Sequence, residues 1–178
     1  WEFGSRGIQL YEAHRFADRA GFPSAAVRGC FHSHWGCLRA AHGRESVLVM
    51  EDDIALTSSI QGLTPPIVSQ LASSSWDILY LGHEDTGKIE RATSRTREVR
   101  FVPFDREVRG CHFYAVNGRV LDRLLDHLQR VAGGQEGDQE FGPMPIDGAL
   151  NIFRRQNADV VGLIAAPKLG WQKSSRSE

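Results

Sequence analysis

The stretch VLVMEDDIALTSS, Val47 to Ser59, runs an apolar, strand-like segment straight into three consecutive acids, Glu51, Asp52 and Asp53. An unbroken apolar run of this length is the pattern of a strand buried on both faces, as in sheets that carry helices on each side. In open α/β sheets, ligands bind in the crevice beyond the carboxyl ends of the strands, which is where the pattern puts these acids. Crowded carboxylates raise one another's pKa unless a cation neutralises them, so the triplet calls for a divalent ion or a functional proton. Oxygen ligands of this kind select magnesium or manganese over zinc. Side chains alternate along a strand, which directs Glu51 and Asp53 to one side and Asp52 elsewhere. The plainer alternative is an acidic turn that solvates the strand end and caps the segment after it.

Outward from this stretch, helix-like and strand-like segments alternate between polar, glycine-bearing turns, the order of an α/β fold. Before it, Ile8 to Ala20 is weakly helical and ends at Gly21 and Pro23; Phe31, Trp35 and Leu38 then recur at helical spacing up to Gly43. After it, Ile60 to Ala72 reads as a helix with Pro65 and Pro66 near its first turn, and WDILYLG, Trp76 to Gly82, as a buried strand. The cationic stretch from Lys88 to Arg100 reads as a mobile loop, followed by strands over Val99 to Phe104 and Val108 to Val116. Asn117 and Gly118 introduce the clearest helix, whose face is Val120, Leu121, Leu124, Leu125, Leu128 and Val131. The glycine- and proline-rich loop from Gly133 to Pro145 is long enough to suggest a function of its own. Ile146 to Gln156 reads as a helix, Asp159 to Ala165 as the last strand, and residues 166–178 as a loosely held polar tail.

Composition narrows the function. The 178 residues, 41% of them hydrophobic, suffice for one domain with a substantial core. Lys and Arg number 21 against 22 Asp and Glu, for a net charge of −1, so the basic stripe that binds a phosphate backbone is lacking and nucleic acid is not expected as a partner. No apolar run reaches the roughly 20 residues of a membrane span, and WEFGSRGIQL lacks the regions of a signal peptide. Cys30, Cys37 and Cys111 are an odd number, so at least one thiol is free, which tilts the reading toward a reducing, cytoplasmic compartment. On one helix Cys30 and Cys37 stand roughly 10 Å apart at about 1.5 Å per residue, too far for a bridge.

Two functional readings compete for the acids. A phosphorelay receiver has paired acids after its first strand, but it also needs an aspartate at the end of a later strand. In WDILYLGH that place holds Gly82 and His83, while Asp77 sits at the strand's beginning. The other reading rests on several blocks in order. GCFHSHWGCLRAAHGRESVLVMEDDIAL, Gly29 to Leu56, resembles the signature of glycosyltransferase family 25: a glycine-cysteine start, a serine-histidine pair on a helix, and an apolar strand ending in glutamate-aspartate-aspartate. WDILYLG, GCHFYAVNGRVLDRLLDHL and MPIDGAL resemble the family's later blocks, and Gln172 with Ser174 and Ser175 resembles its ending. The family's opening strand has no match in WEFGSRGIQLYEAHRF, so a single domain over residues 1–178 without that strand is expected.

The resemblance implies a single GT-A-like, Rossmann-like nucleotide-sugar-binding domain with a mostly parallel sheet flanked by helices. It implies transfer of a hexose, most often galactose from UDP-galactose, to a glycan or to hydroxylysine of a protein acceptor, in bacterial cytoplasm or in the secretory lumen. In a DxD-like arrangement Asp53 and Glu51 would hold Mn2+ or Mg2+, which stabilises the diphosphate leaving group as a Lewis acid. Asp52, Ser33, His34 and Gly82 would contact the donor, and Asp147 would be the base of an inverting transfer. Each has an ordinary alternative: Asp147 as first-turn capping chemistry, His34 as a buried hydrogen-bonding histidine. The CxHxH spacing of Cys30, His32 and His34 suggests zinc only superficially, because on a helix His32 and His34 point roughly 200° apart. Trp171 is a candidate to stack on a sugar or a base. A family-like module that binds sugar or protein without catalysis is the competing class.

Overall fold

The structure, a computed structural model, describes residues 8–84 and 99–173. Its first helix, α1 (Ala25–Ala40), begins where Ser24 Oγ accepts a hydrogen bond from the Val27 amide at 3.1 Å. Phe31, His34 and Leu38, at spacings of three and four, form its buried face. Ile8 to Ala20, expected as a weak helix, forms none. Its apolar residues form no buried face, Leu10 being 94% exposed and Phe16 only half-buried against His32, and a short helix without a buried face does not sustain itself. The segment instead lies along α1, where the His14 amide donates to Ser33 Oγ at 2.8 Å. Gly29 permits this approach, since a β-carbon there would meet the His14 carbonyl oxygen at 2.5 Å.

Two short strands, β1 (Ser46–Met50) and β2 (Ile54–Leu56), flank the acidic turn. The helix expected over Ile60 to Ala72 divides into a 3-10 turn, Ser58–Gly62, and α2 (Pro65–Ser73). Pro65 and Pro66 occupy its first positions, and the residue before them, Thr64, is driven into extended backbone, which breaks any continuous helix. The remaining elements are β3 (Ile78–Glu84), β4 (Arg100–Pro103), β5 (Arg109–Asn117), α3 (Gly118–Ala132), α4 (Ile146–Gln156), β6 (Gly162–Ala166) and β7 (Gly170–Gln172). In α3 the expected apolar face is buried except for the half-buried Leu125, and His127 joins it.

The strands form one seven-stranded sheet with the principal order β1-β5-β3-β6-β4, and β7 joins β2 to the side of β3. The sheet is mixed, and the expectation of a mostly parallel one does not hold: β5 inserts antiparallel between β1 and β3, β4 pairs antiparallel with β6, and among the described residues only β3 with β6 and with β7 pair in parallel. Alternation of helices and strands in sequence is compatible with either direction; β4 and β5, consecutive in the chain, both run against β3 and β6. β1, β3 and β6 nevertheless point the same way, so their carboxyl ends gather at one end of the sheet with the start of β5.

Helices cover both faces. On one, Phe31, Leu38, Leu121, Leu124, Leu128, Leu150 and Phe153 from α1, α3 and α4 pack against Ile78, Tyr80, Tyr114 and Ile164 of the sheet. On the other, Leu79, Leu81, Phe113, Leu163 and Leu169 pack with Leu71 and Trp76. Burying each such leucine or phenylalanine contributes about 2 kcal/mol, and β3, central in the sheet, is buried along six consecutive residues. β1 is not buried on both faces, as its apolar run suggested. It is an edge strand, and Leu48 and Met50 are exposed. The tail also departs from expectation. Leu169 is buried, its amide donates to the Leu81 carbonyl at 2.7 Å, and β7 pairs with β2 through Gln172, so the chain is anchored this far. Leu169 and Trp171 in an otherwise polar tail were too weak a pattern to predict a strand.

No helix among the described residues is long and apolar enough to cross a membrane.

Candidate functional site

Glu51 leaves β1 at the sheet end where the like-directed strands finish, with its amide donating to the His112 carbonyl at 2.9 Å. A turn over Asp52 and Asp53 reverses the chain into β2. Pairing of β2 with β7 sets Ile54 opposite Gln172, and the Lys173 amide donates to the Asp53 carbonyl at 3.0 Å. Gln172 is thereby held against the acids. Its Nε2 donates to Glu51 Oε2 at 3.1 Å and to Asp53 Oδ2 at 3.0 Å. Glu51 and Asp53 therefore do face one point, brought there by the turn and not by strand alternation, since neither lies in a strand, and Asp52 is exposed.

The other oxygen of Glu51 faces inward. Oε1 lies 3.0 Å from Nε2 of His34, whose Nδ1 is 3.1 Å from the Tyr114 hydroxyl, with the two rings stacked. Cys30 stands one helical turn before His34 on α1, and ligand atoms of Cys30, His34 and Glu51 all lie within 4.8 Å of one another. Burial opposes the imidazolium form of His34. Hydrogen bonds with Cys30 and Glu51, and the charge of both, outweigh burial and push the pKa up to about 9.

Asp147 occupies the first turn of α4. Its Oδ2 accepts from the Gly110 amide at 3.2 Å and its Oδ1 from the Gly148 amide at 2.9 Å, which fixes the carboxylate while leaving lone pairs unused. Cys111 connects this residue to the acidic turn. Burial and then the charges of Asp147, Glu51 and Cys30 hold its thiol well above the usual range. Cys111 shares the helix-side core with Tyr80 and Tyr114, whereas Phe113 and Ala115 belong to the opposite face. The register shift between β3 and β5 beyond Tyr80 breaks the simple alternation here, as bulges beside functional sites do.

Two expected donor contacts have other occupations in the fold. Ser33 Oγ donates to the Gly29 carbonyl at 2.7 Å and receives the His14 amide, so it ties the N-terminal segment to α1, away from its neighbour His34. Gly82 is buried, and a β-carbon there would meet His112 Nε2 at 2.6 Å, so the absent side chain makes room for His112. His32 sits in an aromatic cluster with Phe16, Phe31 and Trp35, apart from the His34 environment, as helical geometry requires.

Several participants had little or no sequence signal. Tyr114 and Cys111 looked like core residues of a strand. Cys30 and His34 carried the readable one, an i, i+4 pair of metal-ligand types. The loop from Gly133 to Pro145 is ordered by local bonds, in which Asp138 Oδ1 accepts from the amides of Glu140 and Phe141, and by a long-range ion pair of Glu136 with Arg19 at 2.7 Å. The cationic stretch from Lys88 lies outside the described residues up to Glu98. Compared with known proteins, the chain matches no family model and no curated protein.

Proposed function

We propose that the chain is a metal-dependent hexosyltransferase of GT-A type, using a UDP-sugar such as UDP-galactose and transferring with inversion to a glycan or hydroxylysine-type acceptor. The observation that carries this reading is the convergence of Glu51 Oε2 and Asp53 Oδ2 on one nitrogen of Gln172. Two carboxylate oxygens already brought to a common donor suit a hard divalent cation, and the amide side chain can turn away or offer its own oxygen. Residues Glu51 and Asp53 would hold Mn2+ or Mg2+. When bound, that ion supplies Lewis-acid stabilisation of a departing diphosphate.

The chain's own residues do the rest. Asp52, exposed beside the pair, is available to hydroxyl groups of a donor, and Trp171, 49% exposed on β7 next to Gln172, offers a face for a sugar or base. Asp147, whose carboxylate is held by two backbone amides, would take the proton of an acceptor hydroxyl. The location at the carboxyl ends of β1, β3 and β6 is the usual ligand crevice of open sheets.

The test is a titration of a panel of UDP-sugars with and without manganese, followed by turnover on candidate acceptors. Binding of UDP-galactose only with manganese, lost on Asp53→Ala, is the expected result. Metal-independent binding unchanged by that substitution would refute the proposal. One competing reading is a sugar- or protein-binding module without catalysis, in which the Gln172 amide, already bonded to both acids, takes the place of a metal ion. Absence of donor hydrolysis with manganese present would select it.

A further inference from the structure

We infer that Cys30, His34 and Glu51 form a second, chemically distinct cation site, for a borderline divalent transition ion of the zinc or cobalt class. Thiolate, imidazole and carboxylate together are a softer set than the oxygen pair of Glu51 and Asp53, and they discriminate against magnesium and manganese. The ligand atoms already lie within 4.8 Å of one another. Tetrahedral zinc sets its ligand atoms roughly 3.5 Å apart, so the set needs only a modest contraction. His34 Nε2 and Glu51 Oε1 are 3.0 Å apart, near the separation two ligands of one ion would keep.

The surroundings are those of a ligand set. The Tyr114 hydroxyl engages His34 Nδ1 and so directs Nε2 toward Glu51, the outer-shell bond that ligating histidines characteristically have. Gln172 engages the other oxygen of Glu51 and holds the carboxylate plane. Cys30 is exposed and provides the entry, while His34 is buried and provides rigidity. Three protein ligands leave a fourth tetrahedral position for water or an incoming group, the arrangement of open rather than structural zinc sites. Glu51 thus faces two ways, Oε1 toward this set and Oε2 toward Asp53. The inference stands independently of sugar transfer.

Metal-stripped, reduced protein titrated with Co2+ should develop a thiolate-to-cobalt charge-transfer band saturating at one ion per chain and abolished by Zn2+. Cys30→Ser should remove the band with the far-ultraviolet circular dichroism unchanged, and Tyr114→Phe should weaken zinc binding roughly ten- to a hundredfold. Absence of the band in the unmodified protein, or its persistence in Cys30→Ser, would overturn the site. In the unmodified chain, zinc should also shield Cys30 from alkylation while leaving Cys37 labelling unchanged; equal labelling of Cys30 with and without zinc would equally refute it. Asp53→Ala separates the two proposals, because it should abolish manganese-dependent donor binding and leave the cobalt band intact. Loss of donor binding in every condition would sink the transferase reading alone.

Discussion

Gln172 reaches across 121 positions of sequence to donate to Glu51 Oε2 at 3.1 Å, and the same nitrogen serves Asp53. One amide thus separates two carboxylates that would otherwise repel. Gln172→Ala should cost about 1 kcal/mol, a modest figure because the bonds are exposed, and the loss should be restored by manganese. Gln172→Lys should install an internal cation in the amide's place. It should keep or raise the melting temperature in chelator and abolish the manganese-induced rise, measured by thermal unfolding. A full manganese response in the lysine variant would show that the ion does not use this pair.

At Gly82 the competing claims of donor contact and packing separate cleanly. A β-carbon meets His112 Nε2 at 2.6 Å and the Gly170 carbonyl at 3.0 Å, so Gly82→Ala should cost about 1–3 kcal/mol by overpacking. Combining it with His112→Ala should cost less than the sum of the two, since the clash is relieved. Denaturant unfolding of the four proteins gives the coupling. An additive cycle would mean that the backbone around Gly170, not His112, sets the constraint.

Asp77, which a receiver reading would have wanted at the other end of its strand, is a clamp. It is 2% exposed; Oδ2 accepts from the Val161 amide at 2.7 Å and Oδ1 from Arg119 Nε, joining β3 to the segment before β6 and to α3. Asp77→Ala leaves the Val161 amide without its acceptor and should destabilise by about 2–4 kcal/mol. Arg119→Ala should cost less, because the guanidinium is half exposed and water replaces it on one side only. Urea midpoints decide between them, and equal losses would assign the whole effect to the ion pair.

The helices and strands were legible where apolar residues repeated over several turns, as in α3, or ran unbroken between turn residues, as in β3. Strand direction was not legible, because β5 carries no mark of running antiparallel; its register is written in long-range contacts with β1 and β3. The pairing of Glu51 with Asp53 was expected from strand alternation but arises from a turn, and its partner Gln172 depends on β7 docking on β2 and β3, which is written in long-range contacts. The grouping of Cys30, His34 and Glu51 has no mark in ligand spacing along the chain, because Glu51 comes from a different element than the two residues of α1. What helical geometry excluded, His32 with His34, was excluded correctly.

Two buried histidines give opposite pH dependences. His127 donates from Nε2 to the Ala149 carbonyl at 2.9 Å, and burial, assisted by the charge of Arg130, lowers its pKa below the ordinary value near 6.5. The folded state therefore prefers the neutral ring. Its contribution is present above about pH 6.5 and lost as pH falls below that value toward the folded pKa. His34, with a folded pKa of about 9, behaves in the reverse sense: its contribution is complete below about pH 6.5 and lost as pH rises through about 9. Metal-free protein should thus melt highest between these limbs. His127→Gln, which retains an amide donor for Ala149, should flatten the acid limb and leave the alkaline limb in place, while His34→Gln should do the opposite. Melting temperatures in chelator from about pH 5 to about pH 10 measure both limbs, and an acid limb unchanged in His127→Gln would assign the acid lability to other groups.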